Sequence, residues 1–167
     1  MIFVRDKGRM CNNILQYGHL YAWARANNQK TVSMRFAYKY QYFHICRTRW
    51  HNFFVYLFAK YAAQLKLIPT VTFDTPDEDF TEKENAMRRG CLVAEGWFAR
   101  WYDLFLQYKP EILSLFAFDS HIESKITSLL ETSSKEGIIR LGVHIRRGDY
   151  TTWNDGRFLY DDKQMVN

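Results

Sequence analysis

The densest chemistry in the chain is the run His144-Ile145-Arg146-Arg147-Gly148-Asp149-Tyr150. Two adjacent arginines present forked donors to phosphate oxygens, a bidentate geometry that lysine does not imitate. Gly148 allows a tight turn or a close backbone approach to a ligand, and Asp149 can hold one guanidinium in place. The same residues also fit a plain ion pair between an arginine and Asp149, with His144 packed in the strand before it. A second cluster, Gly8-Arg9-Met10-Cys11-Asn12-Asn13-Ile14-Leu15-Gln16, stands near the start. Arg9, Asn12 and the first N–H groups of a following helix can line an anion or sugar site. The plainer alternative is that Asn12 or Asn13 is a helix N-cap. Cys11 lies in this loop, but no sequence feature supplies it with a base, so it reads as a small half-buried thiol.

Both clusters need elements to position them. Residues 2–5 read as a short buried strand, 6–13 as a polar loop, and 14–26 as a helix with Ile14, Tyr17, Tyr21 and Ala24 on one stripe. Residues 31–34 look like a second strand. This β-loop-α-β opening predicts an α/β fold with an open, Rossmann-like parallel sheet and helices on both faces. Residues 35–50 alternate bases and aromatics and carry no clear assignment. Residues 52–66 read as a helix whose apolar face is Phe53, Phe54, Leu57, Phe58, Tyr61 and Leu65. A third strand is expected at 71–73, an acidic mobile loop at 74–85 and a short strand at 91–94. Pro110 suits the first position of a helix. Asp119 or Ser120 can cap the next one, with Ile122, Ile126, Leu129 and Leu130 inward. The β-branched stretch 138–145 is the strongest strand signal. It places His144 to Asp149 at a carboxyl edge, where open α/β sheets bind ligands.

Composition excludes several classes. The chain has 167 residues, 47% hydrophobic and 25% charged, which suits a globular protein with a real core. No run of about 18 apolar residues and no signal-peptide pattern is present, and three scattered cysteines make no disulfide framework. A reducing compartment, the cytoplasm, is therefore expected, extending to the inner membrane surface if basic residues meet anionic lipid. The five histidines show no metal-binding spacing, no Walker loop or Gly-x-Gly-x-x-Gly occurs, and Asp77, Glu78 and Asp79 lack the spacing of a calcium loop. Charge is segregated: residues 7–73 hold ten Lys/Arg and no acid, whereas residues 74–136 hold thirteen acids and seven bases. Such a block suits a polyanion, or equally a face over which the acidic segment folds. Eleven aromatics between Arg35 and Tyr61 add the interleaved rings and bases of single-strand nucleic-acid binders, although helical spacing buries part of them.

Together, the two clusters resemble the α-1,2-fucosyltransferases and the wider superfamily that includes α-1,6- and protein O-fucosyltransferases. The family's His-x-Arg-Arg-x-Asp stands intact as His144-Ile145-Arg146-Arg147-Gly148-Asp149. Its N-terminal Gly-Arg-Leu-Gly-Asn-Gln motif is matched at Gly8, Arg9 and Asn12, with departures at Cys11 and Asn13. The resemblance implies a metal-independent, inverting transfer of L-fucose from GDP-fucose to a glycan, often a galactoside, with no cofactor. It implies the two-domain B-type glycosyltransferase architecture: residues 1–137 as the acceptor-side domain and 138–167 as the first strand and phosphate loop of the donor-binding domain. Arg146 would bind the donor β-phosphate and stabilise departing GDP, an electrostatic role chemistry also favours at this edge. Arg147 and Asp149 would support the loop, and His144, Gly8, Arg9 and Asn12 would lie near the donor. The general base is not named by the sequence.

Eighteen residues follow Asp149, fewer than the family's donor-binding half requires. The expectation is a fragment or truncated form, inactive by itself, whose partners are the donor, the acceptor and a missing C-terminal domain. The alternative is a non-catalytic nucleic-acid or anionic-glycan binding module using residues 7–73, although nucleic acid is the less favoured partner. The aromatic content also fits a half whose apolar surface docks onto a missing domain.

Overall fold

The computed structural model describes residues 1–76, 79–132 and 155. The chain divides into two compact units, Met1–Ser128 and Leu129–Asn167. The architecture of the first follows. The expected strand at 138–145 and the His144–Asp149 cluster lie outside the described residues.

Among the described residues four short strands form one all-parallel sheet: β1 (Ile2–Arg5), β2 (Thr31–Ser33), β3 (Thr70–Thr72) and β4 (Leu92–Glu95), in the order β2-β1-β4-β3. The register sets Phe3 beside Val32 on one side and Val93 on the other. Helix α1 (Met10–Ala26) connects β1 to β2, α2 (Phe53–Gln64) connects β2 to β3, and α3 (Thr81–Arg89) connects β3 to β4. Three further helices follow: α4 (Tyr102–Gln107), α5 (Lys109–Leu115) and α6 (Ser120–Thr132). The fold is α/β, with an open Rossmann-like sheet covered on both faces.

Strand alternation sends side chains to two cores. Ile2, Val4, Leu92 and Ala94 face Tyr17, Leu20 and Trp23 of α1, together with Phe36, Phe43 and Met87. Phe3, Val32, Met34 and Val93 face Ala59 of α2, with Val55, Tyr56 and Ala63 packed beside it. The helices that follow the adjacent strands β1 and β2 therefore leave to opposite faces. That divergence opens a crevice beyond their carboxyl ends.

Several expectations are corrected. Helix α1 begins at Met10, so residues 10–13 are its first turn and not loop, and the N-cap is Arg9 rather than an asparagine. The apolar face assigned to α2 is the outer one: Phe53, Phe54, Phe58, Tyr61 and Leu65 are all exposed, Phe54 by 79%. This helix is apolar nearly all round. The sheet accepts the stripe Val55-Ala59-Ala63, whose small residues allow close approach, and the large rings point away. Asn52 caps it, its Oδ1 accepting from Val55 N–H at 3.0 Å. The expected loop at 74–85 contains the start of α3. Asp79 accepts from Thr81 N–H and hydroxyl at 3.0 and 2.7 Å. Glu82 and Glu84 stand in the first turn and Arg88 and Arg89 in the last, as the helix dipole favours. Pro110 is the second residue of α5, after Lys109. In α6 Ile126, Leu129 and Leu130 are exposed rather than inward.

Candidate functional site

The carboxyl end of β1 runs directly into the Gly8–Asn13 segment. Gly8 adopts φ +88°, and a Cβ there would lie 2.9 Å from Asn12 Nδ2, so the turn requires glycine. Gln16, buried in the second turn of α1, closes the turn from below. It accepts from Lys7 N–H at 3.2 Å and donates to the carbonyls of Lys7 at 2.7 Å and Asn12 at 3.1 Å. Arg9 is extended and makes no side-chain cap bond, and the first turn of α1 contains no acid. The positive end of a five-turn helix thus reaches this edge without a neutralising carboxylate in its first turn.

Asn13 is fully buried, and neither its Nδ2 nor its Oδ1 has a hydrogen-bond partner. Among the described residues the only other such buried atom is one Arg100 nitrogen. An unpaired buried amide costs about 1–3 kcal/mol, a sum that folds seldom leave uncompensated without a functional cause. Cys11 is exposed on the same turn, not half-buried.

Behind the turn lies a polar hub that sequence reading missed. Asp6 is 1% exposed. Its Oδ2 accepts from Ser33 Oγ at 2.7 Å, and its Oδ1 from Arg35 N–H at 3.4 Å. Burial pushes its pKa up to about 7, against the opposing pull of these bonds and of the Arg35 charge. Arg35 donates from Nε to Asp6 O at 3.3 Å and from Nη1 to the Tyr38 hydroxyl at 2.8 Å. Ser33 N–H donates to His51 Nε2 at 3.0 Å, so the neutral ring carries its proton on Nδ1, 2.6 Å from Thr48 Oγ1. Thr48 in turn donates to Ile45 O at 3.0 Å. Burial lowers the His51 pKa to about 4. These residues come from three separate segments with no shared motif. The one signal was a lone Asp at the end of an apolar strand.

The acid-free block is partly answered by later acids. Lys7, with Arg5 just before the block, pairs with Glu95 at 3.6 and 3.0 Å, Arg25 pairs with Glu111 at 2.8 Å, and Arg47 pairs with Asp119. The acidic segment does fold over part of the basic one. Its rings also divide: Phe36 and Phe43 are buried, whereas Tyr42, Trp50, Phe53, Phe54, Phe58 and Tyr61 are exposed. Among the described residues no group of three or more His, Cys, Asp or Glu is placed to hold a metal ion. No helix among them is long and apolar enough to cross a membrane.

Of the expected donor-site residues, Gly8, Arg9 and Asn12 sit together at the sheet's carboxyl edge. His144, Arg146, Arg147 and Asp149 lie outside the described residues. Comparison of the chain with protein-family models, curated proteins and solved structures finds no match.

Proposed function

We propose that the chain is a fucosyltransferase-like protein, the acceptor-side domain of a B-type glycosyltransferase with the first part of its donor-binding domain. The observation that carries the reading is the Gly8–Gln16 turn. Gly8 and Gln16 shape this turn, and one buried amide, Asn13, is left without a hydrogen-bond partner beside a helix N-terminus that no side chain caps. Free N–H groups at the start of a helix favour an anion at this edge, which supports the reading. The motif Arg146-Arg147-Gly148-Asp149 supplies the guanidinium chemistry for a diphosphate. In the transfer, Arg146 holds the β-phosphate and stabilises the negative charge that develops on departing GDP. The fucosyl group passes to a glycan hydroxyl with inversion and without a metal.

Titration with GDP-fucose, with UDP-glucose as the comparison, tests this. Saturable binding selective for the guanine nucleotide is expected, weakened about tenfold or more in Arg146→Ala. Asn13→Leu should weaken it too while raising unfolding stability by about 1 kcal/mol, since it removes an unpaired buried amide. Equal binding of UDP-glucose, or affinity unchanged in both variants, overturns the proposal.

A binding module is favoured by one separate observation. Arg49 lies 5.1 Å over the exposed Trp50 ring, and Lys60 lies 5.5 Å over the exposed Tyr61 ring. A single-stranded RNA shift lost in Arg49→Ala and kept in Arg146→Ala would select that reading instead.

A further inference from the structure

We propose that the crevice between the carboxyl ends of β1 and β2 and helix α2 is a binding site for a monosaccharide that carries a carboxylate or phosphate group. The cavity is about 300 Å³ and is lined by Arg5, Asp6, Arg35, Tyr38, Tyr56 and Lys60, with Met34 and Gln64 completing it. It sits where the helices following two adjacent parallel strands diverge, the position at which open α/β sheets take ligands. Its size falls at the lower end for small-molecule sites, which fits one sugar ring rather than a dinucleotide.

The charge of the lining favours an anion. Three cations face one carboxylate, and that carboxylate is buried, turned to Ser33 and the Arg35 N–H, and held largely protonated below pH 7 by its burial. Arg5 is partly answered by Glu95 at 3.0 Å, which leaves Arg35 and Lys60 as the principal partners. Arg35 is already oriented. Its Nε is fixed on Asp6 O and its Nη1 on Tyr38, so its plane is set before a ligand arrives. A guanidinium fixed in this way loses little rotamer freedom on binding an oxyanion.

The remaining wall suits a sugar ring. Tyr38 and Tyr56 pack on each other, ring centroids 4.4 Å apart and tilted by 36°, and this aromatic pair lines the cavity beside the cations. Gln64 contributes an amide that can both donate to and accept from ring hydroxyls. Among the described residues, its lining includes none of the Gly8–Asn13 turn.

Titrate the full chain with glucuronate, glucose 6-phosphate and glucose, following heat or amide shifts. At least one acidic sugar should bind about tenfold or more tightly than glucose, and the better of the two identifies the anion. Lys60→Gln, on the partly exposed side of α2, should weaken it about fivefold or more, and Tyr56→Ala should do likewise. Arg146→Ala should leave it unchanged, which separates this site from donor binding. Glucose binding as tightly as both acids, no binding of either acid, or full affinity in both Lys60→Gln and Tyr56→Ala would each overturn the proposal.

Discussion

Helix α1 buries nine of its seventeen residues, while α2 buries two of its twelve. Both pack on the same four-stranded sheet, from opposite sides. On the α1 side the large rings interlock: Tyr17 meets Phe116, His19 meets Phe105 at 4.6 Å, and Trp23 meets Trp101. On the α2 side the contact layer is mainly alanine and valine with Tyr56 beside them, and the other rings stand outward, with Phe58 and Phe3 edge to face at 6.1 Å. The α1 side therefore holds most of the stabilising burial. The α2 side holds a thinner contact and the crevice. Rigidity and access are divided between the two faces of one sheet.

The sharpest way to break this comparison is a pair of truncations. Trp23→Ala should cost about 3–5 kcal/mol in urea unfolding, as for other large buried rings. Equal losses from Trp23→Ala and from truncation of an outer α2 ring would remove the distinction.

The seam between the two sides should show in the pH dependence. Asp6 titrates near 7 when folded against 3.8 when free, so the folded chain holds its proton longer than the unfolded one. Its contribution is fully present below about pH 4 and is lost as pH rises through 7, by up to about 4 kcal/mol. His19 and His51, both lowered to about 4 by burial, act the other way: their contribution is present above about 6.5 and lost as pH falls through 4. Asp6→Asn should therefore turn an opposed profile into a steady rise of stability from pH 4 to 6.5, with no decline toward pH 8. Urea midpoints at pH 4.5, 5.5, 6.5 and 7.5 would show it, and a variant profile parallel to the parent would refute the assignment.

The smallest effect is expected on the outer α2 stripe. Phe54→Glu with Leu65→Glu should change stability by no more than about 0.5 kcal/mol each. The same double variant should elute clearly earlier from a hydrophobic-interaction column. A loss of folding would mean the stripe is not outward.

How much of this was legible depended on whether one segment carried the signal. Strand β1 and the body of α1 follow from local periodicity, and the Gly8–Asn12 cluster was placed at the correct edge because strand, turn and helix are consecutive. The face of α2 was misread because both stripes are apolar and hydropathy favours the bulkier one, whereas packing on a flat sheet favours the smaller. Helix α3 was obscured by its acids, which are in fact its dipole-compatible first turn. Helix α4, over 102–107, was not read at all; its six residues are too few to establish a period. The hub of Asp6, Ser33, Arg35 and His51 depends on pairing β1 with β2, and no local pattern records that pairing.

The imidazole of His51 has one more consequence, because β2 is an outermost strand among the described residues. Met34 N–H turns inward to Val4 O at 2.9 Å, while the Ser33 N–H is occupied by the ring nitrogen. A side chain thus stands in the lane that another molecule's strand would need. An occupied donor of this kind hinders extension of the sheet by a passing β-segment on that flank. A protonated imidazole cannot accept a hydrogen bond, so acid strong enough to charge His51 would release the Ser33 N–H from its partner.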